Sequence, residues 1–179
     1  MAEGKVAVCT GSGRPGGLGE AILSRLGKAG YRLVVTDVDG SGSSHLAKPD
    51  EMETVAESLR SRNTEVLSHA CDVRSPESVE QLFEAVMAHY GRVDVLINNA
   101  GIGFVMKDTR EVSPDEWNLV IDVTLSGVFH CTQVAAAHME AAGRGGRIIN
   151  IASQAAKTGF PHMAPYCAAK HGVIGLTRT

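Results

Sequence analysis

Lys5-Val-Ala-Val-Cys9-Thr10-Gly11-Ser12-Gly13-Arg14-Pro15-Gly16-Gly17-Leu18-Gly19-Glu20-Ala21-Ile22-Leu23-Ser24-Arg25-Leu26 is the stretch that decides the fold. Lys5 to Cys9 is a short apolar run, the pattern of a buried strand. A glycine-rich turn follows, and Glu20 to Leu26 reads as a helix. Strand, glycine turn and helix in that order form the context in which a dinucleotide pyrophosphate is held. Glycines let the backbone close on the phosphates, and the helix N-terminus offers its unpaired N–H groups to their charge. A second strand, Arg32-Leu-Val-Val-Thr36, ends at Asp37, eighteen residues beyond Gly19. A carboxylate at that spacing is placed to accept hydrogen bonds from a ribose hydroxyl. With both flanks in order, the turn is read as a nucleotide site and not as a plain loop.

The other end of the chain carries a proton-transfer pattern. Ile148, Ile149 and Ile151 belong to an apolar strand that stops at Ser153, and a Gly/Pro-containing loop leads to Tyr166-Cys-Ala-Ala-Lys170. Residues four apart on a helix share one face. A lysine ammonium beside a phenol favours the phenolate and lowers its pKa from about 10, toward the range useful for general acid–base work. Ser153 can donate to the same substrate oxygen. Tyr-x-x-x-Lys alone is common by chance; its meaning comes from the nucleotide site at the opposite end.

Taken together, Thr10-Gly11…Gly17-Leu18-Gly19, Cys71-Asp72-Val73, Asn98-Asn99-Ala100-Gly101, Ser153 and Tyr166-x-x-x-Lys170 resemble the classical short-chain dehydrogenase/reductase family, including its 3-oxoacyl-carrier-protein-reductase-like members. The resemblance covers essentially the whole chain. It implies an α/β fold with a doubly wound parallel sheet (Rossmann fold), cut off after the catalytic helix, and one NAD(P)-binding domain over residues 1–179. It implies an oxidoreductase moving hydride between a nicotinamide cofactor and a carbonyl or alcohol, with Ser153, Tyr166 and Lys170 catalytic. It further implies that Asp72 and Val73 flank the adenine, and that Asn99, Ala100 and Gly101 line the path to the nicotinamide. Lys170 would also bind the nicotinamide ribose.

Three departures from the family pattern stand out. Five residues separate Gly11 from Gly17 where the family usually has three, so the turn is expected to bulge outward, while Gly17-Leu18-Gly19 still meets the pyrophosphate. Thr124 stands where the family commonly places an asparagine that holds a relay water. The chain also stops at Thr179, whereas family members continue with further strands, helices and a substrate-covering loop. It supplies five strand candidates, 5–9, 32–37, 65–71, 93–97 and 147–151, and is read as an N-terminal portion of a longer polypeptide.

Cofactor choice turns on two residues. Asp37 accepts from adenosine-ribose hydroxyls and repels a 2′-phosphate, while Arg14 in the glycine turn could bind that phosphate. The carboxylate, fixed at a strand end, is expected to win, giving NAD with NADP possible.

A net charge of −3 with interspersed signs offers no basic stripe for nucleic acid, and no run of 18 apolar residues suggests a membrane span. The first strand begins within about four residues of Met1, leaving no room for a signal peptide. Cys9, Cys71, Cys131 and Cys167 lack metal or disulfide spacing and are read as reduced core residues of a cytoplasmic protein. The seven histidines lack zinc spacing; His162 and Gln154 could touch substrate but are read first as structural or solvent-facing.

Gly30 is the expected stop of the first helix. Asp39 to Lys48 reads as a surface insertion, and the next helix is expected over about 50–62. Ser75-Pro76 should open a helix to Tyr90, and Ser113-Pro-Asp-Glu116 a long helix to about Ala142 on which Trp117 packs. Small and apolar residues on that helix and on the one beginning near Ala164 point to a homodimer or homotetramer, as the family's equivalent helices pair. The rival readings are an epimerase using the same triad and a non-catalytic, cofactor-binding or redox-sensing module.

Overall fold

The computed structural model describes residues 4–38 and 49–179, so the Asp39–Lys48 insertion lies outside the described residues. The elements run β1 (Val6–Thr10), α1 (Leu18–Lys28), β2 (Arg32–Thr36), α2 (Pro49–Arg60), β3 (Val66–Ser68), α3 (Pro76–Tyr90) and β4 (Val95–Asn98). They continue with α4 (Pro114–Ile121), α5 (Gly127–Ala141), β5 (Arg147–Asn150) and α6 (Ala164–Arg178). All four strand pairings are parallel, in the order β3-β2-β1-β4-β5.

Alternation along the strands explains why helices cover both faces. Val6, Val8, Val34 and Leu96 point to one side and pack with Val79, Leu82, Phe83 and Val86 of α3 and Cys131, Ala135 and Met139 of α5. Ala7, Cys9, Leu33, Val35 and Ile97 point to the other, against Leu23 of α1 and Val55, Ala56 and Leu59 of α2. Successive residues of a strand face opposite sides, so a strand apolar throughout must be covered twice.

Two strands depart most from the sequence expectation. The 93–97 candidate is regular only from Val95; just before it, Asp94 N–H donates to Val6 O (3.0 Å) and the Asp94 carboxylate accepts the Val6 N–H (2.8 Å) while pairing with Arg92. The 65–71 candidate is regular only over Val66–Ser68. Beyond it, His69 N–H to Val35 O and Cys71 N–H to Asp37 O carry an irregular edge forward.

The Ser113/Glu116 capping box forms as expected, but the long helix is interrupted. Asp122–Ser126 is a π turn, a widening that leaves no trace in hydrophobic periodicity and often accompanies functional sites. Trp117, read as a helix–helix packing residue, is 41% exposed. By length and composition Pro114–Ala141 reaches the minimum for a membrane span, although α5 packs on α3 and β4 as a core helix. Gly30 (φ +87°) and Gly91 (φ +68°) end α1 and α3 in the left-handed conformation.

Candidate active site

The strand order reverses between β1 and β4, and in such sheets the crevice beyond the carboxyl ends of the strands receives the ligand. Every motif singled out in the sequence except Tyr166-x-x-x-Lys170, which lies in α6, follows one of those ends. The glycine turn follows β1, Asp37 follows β2 and Asp72-Val73 lies beyond β3. Asn99-Ala100-Gly101 follows β4, and Ser153 lies beyond β5.

The glycine turn is part folded down, part projecting. Ser12 and Gly13 are buried, whereas Arg14, Pro15 and Gly16 are exposed. Ser12 Oγ donates to Cys9 O (2.7 Å), and Gly17 N–H closes the turn on Arg14 O (3.1 Å). A Cβ on Gly11 would stand 2.7 Å from the Ala100 Cα, and one on Gly19 would stand 2.6 Å from the Ser12 Cα. Both contacts demand glycine. Gly17 caps α1 without any side-chain hydrogen bond, so the first amides of the helix are not consumed by a cap. Exposed helix amides framed by close-packed glycines fit a dinucleotide pyrophosphate.

Asp37 is largely buried, and its two oxygens accept the Gly13 N–H (3.0 Å) and the Val38 N–H (2.9 Å). Burial pushes its carboxyl above the usual carboxylate range, opposed by those two bonds and the Arg14 guanidinium. Asp72 is gripped by Arg74 through backbone N–H (2.9 Å) and guanidinium (2.6 Å), which holds its carboxyl below the usual range. Val73 is buried against Gly127 at the start of α5, where a Cβ would come within 2.6 Å of its side chain.

Asn99 ties the two sides of the crevice together. Its amide donates to Thr10 O (2.9 Å) and Gly11 O (2.8 Å), while the Thr10 hydroxyl accepts the N–H groups of Asn99 and Ala100 (both 3.1 Å). In the sequence Thr10 stands only as the first residue of the glycine motif; its clamp on Asn99 and Ala100 is visible in three dimensions.

Lys170 is 3% exposed, and its ammonium donates to Ile151 O (2.6 Å) at the end of β5. Burial pushes its pKa down to about 8. Its Nζ lies 5.7 Å from the Tyr166 ring centre, on the shared face that a four-residue spacing provides. The loop after β4 closes over the pair. A Cβ on Gly103 would touch the Tyr166 ring at 3.3 Å, and one on Gly101 would lie 3.5 Å from Lys170 Nζ. Ser153 caps the 3-10 turn Gln154–Ala156 by accepting the Ala155 N–H (3.1 Å), and that turn packs on α6, the helix that carries Tyr166 and Lys170. The cap uses the oxygen as acceptor and leaves the O–H proton for another oxygen.

Thr124 sits fully buried in the π turn, its hydroxyl accepting the Ile102 N–H (3.1 Å). It fixes the loop that covers Tyr166 and Lys170. His162 and Gln154 are exposed; His162 has φ +65°, and its carbonyl accepts Lys107 N–H (2.9 Å), joining the two loops beside Tyr166. Cys9, Cys71 and Cys131 are buried free thiols; burial raises the pKa of Cys9 to about 12 and of Cys71 to about 11.

A parallel sheet wound on both faces, a glycine turn at its reversal point and a Tyr–Lys pair on the adjoining helix define a Rossmann-type domain. Residues 5–179 match the profile described as short chain dehydrogenase, and the chain belongs to that family. It is 38% identical over 176 residues to a D-beta-hydroxybutyrate dehydrogenase of Rhizobium meliloti, covering 98% of this chain and 64% of that protein. It is 36% identical over 177 residues to a 3-oxoacyl-acyl-carrier-protein reductase of Staphylococcus epidermidis, covering 98% of this chain and 67% of that protein. Carveol dehydrogenase from Mycobacterium avium, crystallised with NAD, superposes with a TM-score of 0.92 at 29% identity, covering 98% of this chain and 64% of that one. A metagenomic short-chain oxidoreductase crystallised with NADP gives 0.87 at 35% identity, covering 98% and 74%. The chain thus spans 63% and 64% of the length of the first two curated relatives it matches.

Proposed function

We propose that the protein is an oxidoreductase that exchanges hydride between NAD(H) and a carbonyl/alcohol pair. The nicotinamide would supply the hydride chemistry; the chain supplies orientation, electrostatics and the proton. The first amides of α1, after Gly17, bind the pyrophosphate with Leu18 and Gly19, and Gly11 lets the turn close on Ala100. Asp37 takes the adenosine ribose, Asp72 and Val73 border the adenine, and Asn99, Ala100 and Gly101 shape the way to the reacting ring. Tyr166 gives its proton to the carbonyl oxygen in reduction or takes one from the alcohol in oxidation. Ser153 donates to that oxygen, and Lys170, its ammonium 5.7 Å from the Tyr166 ring centre, reaches the second ribose.

One observation carries this reading. A lysine ammonium is buried beside a tyrosine ring in the crevice, and a charge withdrawn from water at such a place marks a candidate functional group. NAD(H) is favoured over NADP(H) because the Asp37 carboxylate is fixed by two backbone amides, whereas Arg14 stands in the exposed part of the turn. We further propose one cofactor-binding domain over residues 1–179, a cytoplasmic location, and a homodimer or homotetramer formed through α4–α5 and α6. On those helices Phe129, Ala136 and Ala137, and Ala168 and Gly175, are exposed.

The test is a screen for NAD(P)H consumption by the full-length protein over a panel of carbonyls, with the reverse reaction over alcohols. NADH-dependent turnover of at least one panel member is expected. NADH binding without any turnover would favour a cofactor-binding or redox-sensing module, and redox-neutral inversion of a substrate centre would favour an epimerase.

A further inference from the structure

On the nucleotide-binding reading above, we propose that Asp37 is a positioning residue for the enlarged glycine turn as well as an acceptor for the cofactor ribose, with Ser12 as its partner in that role. The turn holds five residues between Gly11 and Gly17, and a longer loop needs more to hold it in one conformation. The structure fastens it to the end of β2. Ser12 N–H donates to Thr36 O (3.0 Å), Thr36 N–H donates back to Ser12 Oγ (3.2 Å), and Gly13 N–H donates to Asp37 Oδ2 (3.0 Å). The reciprocal Ser12–Thr36 pair carries the β1–β2 contact one step past the last ladder pair, Thr10 and Thr36.

Gly13 is pressed flat onto this anchor. A Cβ there would stand 2.7 Å from the Asp37 Cβ and 3.1 Å from the Met52 Cβ on α2. From Ser12 the path to the phosphate site is short, since Gly19, in the first turn of α1, backs onto the Ser12 Cα. Moving Ser12 and Gly13 therefore moves the α1 N-terminus relative to the crevice. Each Asp37 oxygen retains acceptor capacity beyond its one backbone amide, so anchoring the turn and accepting ribose hydroxyls are compatible. Removing this side chain loosens the pyrophosphate site as well as relieving repulsion of a 2′-phosphate. In this chain, Asp37→Ala should consequently weaken binding of both dinucleotides and not simply exchange one for the other.

The experiment titrates the full-length protein with NADH, NADPH and an NADH analogue lacking both adenosine-ribose hydroxyls. It compares wild type with Asp37→Ala, Asp37→Asn and Ser12→Ala, each checked for an intact thermal transition. The analogue cannot report the ribose contact, so it isolates the turn. Asp37→Ala and Ser12→Ala should each weaken the analogue by roughly fivefold or more, the equivalent of one lost hydrogen bond. Asp37→Asn, which keeps an oxygen for the Gly13 amide, should bind the analogue nearly as wild type does. Equal affinity of wild type and Asp37→Ala for the analogue would overturn the proposal, as would Asp37→Ala binding NADPH as tightly as wild type binds NADH. Failure of wild type to bind NADH at all would instead remove the nucleotide-site reading, and the proposal with it.

Discussion

Lys170→Met should make the cofactor-free protein more stable while abolishing its chemistry. The ammonium is buried, and burial lowers its pKa from 10.5 to about 8. At about 1.4 kcal/mol per pKa unit, holding that charge in the folded chain at neutral pH costs on the order of 3 kcal/mol. Methionine keeps the aliphatic bulk but loses the donor to Ile151 O, which offsets about 1 kcal/mol. The net expectation is a gain of about 2 kcal/mol, or a rise in Tm of roughly 4–8 °C for a chain of this size. The pH dependence has a definite sign. Between about 8 and 10.5 the unfolded chain holds the lysine proton that the folded chain has released, so wild-type stability should climb with pH across that window. In Lys170→Met that rise should disappear, because the penalty is already gone below pH 8. The assay is thermal and denaturant unfolding of the full-length protein without cofactor, from pH 6 to pH 10. A lower Tm for the variant at pH 7, or an unchanged rise with pH, would refute the account of this lysine as a strained functional group.

Gly127→Ala should destabilise despite the better helix propensity of alanine. The new methyl would meet the Val73 side chain at 2.6 and 2.9 Å, and overpacking of that kind outweighs the gain of under 1 kcal/mol, leaving a loss of about 1–2 kcal/mol in urea unfolding. Asn99→Ala removes the donors to Thr10 O and Gly11 O; a loss of about 1–3 kcal/mol in stability and weaker NADH binding are expected from calorimetry. Because burial raises the Asp37 pKa and protonation removes an acceptor, NADH affinity should fall on acidification earlier than an ordinary carboxylate would dictate. Titrations against pH should show that fall in wild type and not in Asp37→Asn.

The sequence made the architecture readable because its signals are local. Five strands, the Ser113/Glu116 capping box, Ser75-Pro76 and the stop at Gly30 each follow from neighbouring residues; the caps and the stop appear where expected, and the strands appear with β3 and β4 trimmed. The alignment of five motifs with strand ends follows from the same local order. What sequence spacing could not give depends on partners far along the chain. The Asp94 carboxylate takes the Val6 amide, 88 residues away. Thr10 and Asn99 join the crevice walls, and Thr124 clamps Ile102 from within a π turn that no periodicity announces. The glycine turn was half legible. Its extra length predicts an outward bulge, and Arg14–Gly16 do project, but Ser12 and Gly13 fold down onto β2.

The most direct test of the central claim is steady-state and single-turnover kinetics of Tyr166→Phe beside wild type, with NADH affinity measured on the same samples. Phenylalanine keeps the ring against Gly103 and Lys170 and removes the hydroxyl, and with it the transferable proton. Turnover should fall by roughly 10²–10⁴ while NADH affinity stays within about twofold. Tyr166→Phe turning over at the wild-type rate would contradict the assignment of Tyr166 as the proton donor, and with it the proposed mechanism.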